Sequence, residues 1–165
     1  MDTVMVFTSK PLETMIEEGG SGHWSANKKR LKKCTYLIAT KSNTFSERFP
    51  SNREINQGAA FLIGKISNVI DLPMNNRLII QLSEYAETNI PKSWTGNRNP
   101  VAYTNIDKFE AEHSLDITTL EWKKFPTSKA EIKADVRALT VNEAKEGIAK
   151  TLGVDPSCIE IIIKA

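Results

Sequence analysis

The sequence predicts an α+β protein whose main domain is built largely of β-strands. Apolar segments of strand length recur through the first three quarters of the chain, and the two longest are separated by turn residues. Helical spacing appears only in short segments. With 165 residues, 40% hydrophobic and 25% charged, the chain has room for one well-packed globular domain and a small appendage.

A strand and a short helix open the chain. Residues 3–7 (TVMVF) are β-branched or apolar throughout, which favours a buried strand. Ser9 is placed to cap a helix that has Pro11 in its first turn, and Gly19 with Gly20 ends it. The apolar face of this helix consists of Leu12, Met15 and Ile16.

A glycine-rich segment and a basic run follow. The segment GGSG, at 19–22, is interpreted as a flexible turn, because no Gly-Lys-Ser or Gly-Lys-Thr follows it as in a phosphate-binding loop. Asn27 or Ser25 caps a helical turn in which only Leu31 faces the core. Six basic residues and no acidic one lie between Gly19 and Ser46. This basic run is expected to attract a polyanion or, alternatively, to form a solvated surface. The six residues are Lys28, Lys29, Arg30, Lys32, Lys33 and Lys41.

Three further strands are predicted at 34–39, 59–72 and 77–86. Gly64 is expected at a bulge or sharp bend, and Pro73, Asn75 and Asn76 turn the last two strands into a hairpin. The two-residue period of a strand divides the returning strand between two faces. Leu78, Ile80, Leu82 and Glu84 share one face, and Ile79, Gln81, Ser83 and Tyr85 share the other.

The rest of the chain contains a polar loop, a helix and a separate ending. The loop at 90–100 holds an aromatic, an arginine and two asparagines between two prolines. A helix through Ile106 and Phe109 follows, and a linker begins near Pro126. Thr140 and Glu143 form a capping box ahead of a helix, and isoleucines then alternate as a strand. We therefore expect a main domain at 1–126 and a linker with a strand-helix-strand module at 127–165.

The layout of residues 1–126 resembles the PUA-like superfamily of small β-barrels, nearest to its EVE and ASCH branches. The resemblance is carried by Trp24 after the first helix and by the segments CTYLIATK, GAAFLIGKISNVIDL and RLIIQLSEYA. It implies a barrel of five or six strands with short helices. Since PUA-like domains bind RNA or DNA, it also implies noncatalytic nucleic-acid recognition, with a modified or flipped base held in an aromatic pocket.

The resemblance implies a set of binding residues. Trp24 and Trp94 stack on a base, although packing of each ring against the barrel is the alternative. The other candidates read the edge of the base or hold phosphates. The edge-reading candidates are Asn97, Asn99, Ser83 and Glu84, and the phosphate-binding candidates are Lys28, Lys29, Arg30 and Arg98.

Two alternative functions remain open. One is a protein-interaction module that acts through the C-terminal element. The other is a small amidohydrolase of the ASCH type that uses Thr40, Lys41 and Glu84. A lysine acts as a base only when burial or neighbouring charges lower its pKa, and the polar loop after Lys41 gives no sign of burial. We therefore expect no catalytic residues.

Composition gives the remaining expectations. Two histidines and two cysteines without metal-ligand spacing predict no metal site and no cofactor, and both Cys34 and Cys158 are interpreted as small buried residues. No apolar run has the length of a membrane helix, and the first residues do not have the pattern of a secretion signal. A cytoplasmic protein with no membrane contact is expected.

Overall fold

The computed structural model describes residues 2–44, 55–72, 77–126 and 140–161. The chain forms two compact units, Met1–Ile132 and Lys133–Ala165. Three sequence predictions lie outside the described residues, namely the hairpin turn at 73–76, the linker after Pro126 and the first strand of the C-terminal element.

The first unit contains seven strands and three helices among its described residues. The strands are β1 (Thr3–Thr8), β2 (Ser21–Trp24), β3 (Tyr36–Lys41), β4 (Ala60–Leu72), β5 (Arg77–Ile90), β6 (Val101–Thr104) and β7 (Lys123–Lys124). The helices are α1 (Leu12–Glu18), α2 (Lys28–Leu31) and α3 (Ile106–His113), and a short 3₁₀ helix spans Ile117–Thr119.

The strands form one curled sheet in the order β2-β5-β4-β3-β1-β6, with β7 paired to the free side of part of β5. β1 and β3 are parallel, and the other neighbouring strands are antiparallel. The sheet closes about half of a barrel. The predicted α+β class is therefore confirmed.

Two hydrophobic clusters cover the two faces of this sheet. The first cluster takes Val4 and Val6 from β1, and the second takes Met5 between them, as the two-residue period of a strand requires. The first cluster also holds Met15 of α1, so α1 packs on this face as its apolar spacing predicts. Buried members of the second cluster are Met5, Ile38, Ala60, Ile63, Ile106 and Phe109.

A bulge in β5 changes the predicted faces of that strand. Lys65 of β4 pairs with Glu84, but the next residue pairs with Leu82, so Ser83 is an extra residue in β5. Tyr85 consequently joins Leu82 in the first cluster, and the prediction that Glu84 shares the face of Leu82 is wrong. The bulge lies one residue beyond Gly64, where a Cβ atom would lie 2.7 Å from Leu82 Cδ1.

The glycine-rich segment is a strand rather than the predicted flexible turn. Gly19 ends α1 with φ 76°, as expected of a helix-terminating glycine, and β2 begins two residues later against β5. A Cβ atom on Gly20, whose φ is 152°, would lie 2.4 Å from the carbonyl oxygen of Ile80. Glycine at this position therefore permits close approach of two backbones.

The second unit contains α4 (Val141–Leu152) and a 3₁₀ helix at Pro156–Cys158. Thr140 and Glu143 form the predicted capping box, and Gly153 ends α4 in the left-handed conformation. Residues 159–161 are not a strand, contrary to the prediction, and Cys158 is exposed while Cys34 is buried. Among the described residues, no helix has the length and apolar character needed to cross a membrane.

Substitution of Gly20 by alanine should destabilise the first unit strongly. We expect Gly20→Ala to lower the free energy of unfolding by about 3 kcal/mol or more, because the obstructing atom belongs to backbone and the φ angle disfavours any side chain. Gly22→Ala comes closest to a side-chain atom, Ile79 Cγ1 at 2.8 Å, and should cost about 1 to 2 kcal/mol.

Gly96→Asn is the control for this comparison, because its surroundings are open and asparagine tolerates a positive φ. Urea unfolding of the three variants measures the order. Equal midpoints for Gly20→Ala and the control would contradict the close approach of β2 to β5.

Candidate functional site

Trp24 is part of the hydrophobic core. It ends β2, is 8% exposed and belongs to the first cluster. Its indole Nε1 donates a hydrogen bond to Ser21 Oγ over 3.1 Å, so the polar group of the ring is satisfied inside the protein. The packing alternative for Trp24 therefore describes its observed position.

Trp94 lies on the other face of the sheet. Its half-buried ring packs against the second cluster and stacks on Phe7, with ring centroids 5.0 Å apart and an angle of 11° between the planes. Its backbone N–H donates to the carbonyl oxygen of Gly58 over 2.9 Å. The structure thus does not bring Trp24 and Trp94 together in one pocket.

The basic run is held firmly on the surface by α2. Asn27 Oδ1 accepts a hydrogen bond from the Arg30 backbone N–H over 3.1 Å, which is the predicted cap, and the Leu31 side chain is fully buried. Lys28 forms an ion pair with Asp71 of β4. The Arg30 guanidinium carbon lies 3.7 Å from the centroid of the Tyr103 ring, a cation–π contact.

Three lysines of this run keep their charge uncompensated. Lys29, Lys32 and Lys33 are exposed, and none of them has an acidic partner within the described residues. Together with Arg30 they form what we call the α2 surface, defined as Lys29, Arg30, Lys32 and Lys33. Within this surface, Lys29, Lys32 and Lys33 are the positive charges without an acidic partner in the described residues.

The α2 surface and the loop at 91–100 lie at opposite ends of β1 and β3. Near α2, the Thr35 N–H donates to the Asp2 carbonyl oxygen just before both strands begin. At the other end, the Phe7 N–H donates to the Pro100 carbonyl oxygen. Because each strand has six residues, the two ends are about 17 Å apart.

The polar candidates of the 91–100 loop are exposed, and two of them shape the loop. Asn97 Oδ1 accepts from the Asn99 N–H over 3.3 Å, and Asn99 Oδ1 accepts from the Val101 N–H over 3.1 Å. Both amide oxygens thus set the backbone turn that leads into β6. Arg98 lies between them and is exposed.

Glu84 belongs to a third location. The bulge in β5 turns Glu84 toward Lys65, and Lys65 Nζ lies 2.5 Å from Glu84 Oε2. The same ammonium lies 4.4 Å from the centroid of the Trp122 ring. Trp122 Nε1 donates to the Ile117 carbonyl oxygen over 2.9 Å, and the ring packs on the second cluster.

Lys41 is a residue whose environment the sequence interpretation missed. It is only 7% exposed, and burial lowers the pKa of its side chain from the ordinary value of 10.5. Within the described residues, no group accepts a hydrogen bond from the Lys41 ammonium. The signal was available, because continuing the strand period beyond Ala39 places Lys41 on the same face as Leu37 and Ala39.

Buried hydroxyl groups surround the same end of the sheet. Backbone hydrogen bonds link Lys41 to the 91–100 loop through Gly58. The Gly58 N–H donates to the Lys41 carbonyl oxygen, and the Gly58 carbonyl oxygen accepts from the Trp94 N–H. The buried polar side chains that flank these contacts in the chain are Thr8, Thr40, Ser42 and Ser93. A largely buried lysine and several buried hydroxyl side chains therefore lie near the carboxyl ends of β1 and β3.

Comparison with known proteins does not assign a family. No family model matches the chain, and neither a curated protein nor a solved structure matches it. In the part of the chain that the structure describes, no three histidine, cysteine, aspartate or glutamate side chains are grouped to hold a metal ion. Function must therefore be argued from the geometry of these surfaces.

Loss of the Trp24 side chain should destabilise the fold rather than remove a contact surface. We expect Trp24→Ala to lower the free energy of unfolding by about 3 to 5 kcal/mol, because it leaves a cavity in the first cluster. Trp94→Ala should cost about 1 to 2 kcal/mol, since that ring is half-buried and loses mainly its stacking on Phe7. Chemical denaturation measures both values, and equal costs would contradict this assignment.

The burial of Lys41 predicts a pH-dependent stability. Its folded-state pKa is lowered, so between that pKa and 10.5 the unfolded chain binds more protons than the folded protein. The free energy of unfolding therefore rises with pH through this window, and the penalty is complete below it. Lys41→Met should be more stable than the wild type at pH 7, and this advantage should shrink toward pH 10.

Urea unfolding in a buffer free of phosphate and carboxylates measures this difference at several pH values. Lys92→Met is the matched control, because Lys92 is exposed and should show no such trend. A Lys41→Met advantage that is absent at pH 7, or that does not change with pH, would show that the amine bears no burial penalty.

Proposed function

We propose that this protein is a noncatalytic nucleic-acid-binding module and that the α2 surface contacts the phosphate backbone. The observation that carries the proposal is the group of three exposed lysines without acidic partners in the described residues, placed beside Arg30 on a short helix and the turn that ends it. A cluster of this kind creates a local positive potential that attracts a polyanion, although the net charge of the chain is only +2.

The way α2 is anchored favours a binding role over a merely solvated surface. The Asn27 cap and the buried Leu31 side chain fix the short helix, and the ion pair of Lys28 with Asp71 ties it to β4. Because the helix is held, its lysines are presented with little loss of backbone freedom on binding. Arg30 is also held over the Tyr103 ring.

The proposed contact is with the backbone and not primarily with bases. The Trp24 ring is enclosed in the core, and the Arg30 guanidinium covers the Tyr103 ring. Phosphate contacts position a nucleic acid without reading its sequence, so binding through the α2 surface should be tolerant of sequence and sensitive to salt. Recognition of a modified or flipped base would require the half-buried Trp94 at the other end of the sheet.

The PUA-like resemblance of residues 1–126 belongs to the same proposal. The curled half-barrel sheet with short helices supports it at the level of architecture. Fold alone does not assign an activity, so nucleic-acid binding depends on the charged surface and not on the resemblance.

A protein-interaction module is the second candidate function. The second unit exposes Val141 and Ile148, which lie seven residues apart on α4 and therefore share one side of the helix. Exposed apolar side chains grouped on one helix face are typical of a surface that contacts another protein. Val154, beyond the end of α4, is exposed as well.

Neutralising the α2 surface should weaken nucleic-acid binding and reduce its salt dependence. We expect the triple variant Lys29→Gln/Lys32→Gln/Lys33→Gln to bind duplex DNA at least about tenfold more weakly at low salt. The slope of log K against log salt should become shallower by about 2 to 3, because each lost phosphate contact contributes about 0.9. Fluorescence anisotropy with labelled DNA and RNA at four salt concentrations measures both quantities.

The control is Lys92→Gln/Lys108→Gln/Lys124→Gln, which makes the same change in net charge at three exposed lysines elsewhere in the first unit. This control should retain nearly all of the affinity and slope. Absence of wild-type binding at low salt, or equal losses in the two triple variants, would refute the proposal.

A further inference from the structure

We propose that Lys41 is the cation of a second binding site, which takes a small oxyanion such as a carboxylate or phosphate group at the carboxyl ends of β1 and β3. The site is distinct from the α2 surface, which lies near the other end of the same strands. It does not depend on nucleic-acid binding.

The first argument is the missing partner of a largely buried lysine, whose Nζ atom is not among the fully enclosed polar atoms and so can be reached by a ligand. Lys41 is more than nine-tenths buried, and no described residue accepts a hydrogen bond from its ammonium. A charged group that has lost much of its hydration is stabilised when an opposite charge or hydrogen-bond acceptors replace the lost water. The neighbouring lysines of this chain show the usual solutions, since Lys10 pairs with Glu18 and Lys65 pairs with Glu84.

The second argument is the presence of hydroxyl groups whose hydrogens are not donated to any acceptor in the described residues. Thr8 pairs with Lys41 in the parallel ladder, and its Oγ1 accepts a hydrogen bond from the Lys10 N–H over 3.1 Å. Ser42 Oγ likewise accepts from the Thr44 N–H over 3.1 Å. Both side chains are buried, and within the described residues neither hydroxyl donates a hydrogen bond.

The other two hydroxyls at this end show the contrast. Thr40 Oγ1 donates to the Val6 carbonyl oxygen over 2.9 Å, and Ser93 Oγ donates to the Ile90 carbonyl oxygen over 2.8 Å. Their hydrogens are already used by the backbone. Thr8 and Ser42 therefore remain as the buried hydroxyls with an unused hydrogen. Thr8 lies beside Lys41 in the ladder, and an ammonium next to a hydroxyl donor matches the acceptor oxygens of a carboxylate or phosphate.

The third argument is position in the sheet. β1 and β3 run parallel with an unbroken register from Thr3 opposite Tyr36 to Thr8 opposite Lys41. Their carboxyl ends therefore meet at one end of the sheet, which places Thr8 beside Lys41. The exposed cations Lys92 and Arg98 of the 91–100 loop are at the same end and add a positive potential for an entering anion.

Calorimetric titration with sodium phosphate and, separately, sodium acetate in a chloride buffer tests the site. We expect saturable binding of at least one anion to the wild-type protein, and affinity about tenfold or more lower in Lys41→Met, because a charge-assisted contact is lost. Phosphate binding alone would identify a phosphate group as the ligand, and acetate binding alone would identify a carboxylate. Binding of both would show a site for oxyanions in general.

Two further variants keep the result interpretable. Lys124→Met removes an exposed lysine of β7, which the proposal does not involve, and should bind nearly as the wild type does. The α2 triple variant Lys29→Gln/Lys32→Gln/Lys33→Gln should also retain anion binding, even if nucleic-acid binding fails. The proposal is overturned if the wild type binds neither anion, if Lys41→Met binds as well as the wild type, or if only the α2 triple variant loses binding.

Discussion

The parallel ladder between β1 and β3 is the constraint on which the rest of the structure depends. Its register is unbroken over six residue pairs, so each side chain of either strand is assigned to one face. Leu37 and Ala39 enter the first cluster, Ile38 enters the second, and Lys41 must continue the face of Leu37. The same ladder sets α2 near its beginning and the 91–100 loop at its end.

Features that depend on neighbouring residues were predictable from the sequence. The apolar face of α1, the Asn27 cap of α2, the capping box of α4 and the terminating Gly19 all rest on contacts within a few residues. Each follows from local geometry, which the spacing of residue types encodes directly. The long strands were also predicted, because their apolar content is high enough to decide between a strand and a loop.

Features that depend on a distant partner were not predictable in the same way. β2 forms because Gly20 and Gly22 allow it to approach β5, and the sequence around these glycines does not indicate which strand is the partner. The extra Ser83 reverses the face of Glu84, since one inserted residue moves every later side chain to the other side. The separation of Trp24 and Trp94 also depends on distant contacts, because the strand that carries Trp24 and the loop that carries Trp94 pack on opposite faces of the sheet.

The positive charges of this chain are of two physical kinds, and they favour different ligands. The lysines of the α2 surface are solvated, so their attraction is weak per charge, screened by salt and suited to a polymer that offers many phosphates. Lys41 has lost most of its water, so salt screens it less and a single well-placed oxyanion matters more. About 17 Å of sheet separates the ends of the strands, which is more than a Debye length at physiological salt. The α2 surface and the Lys41 site therefore act on their ligands separately. A substitution that weakens binding at one of them should leave binding at the other unchanged.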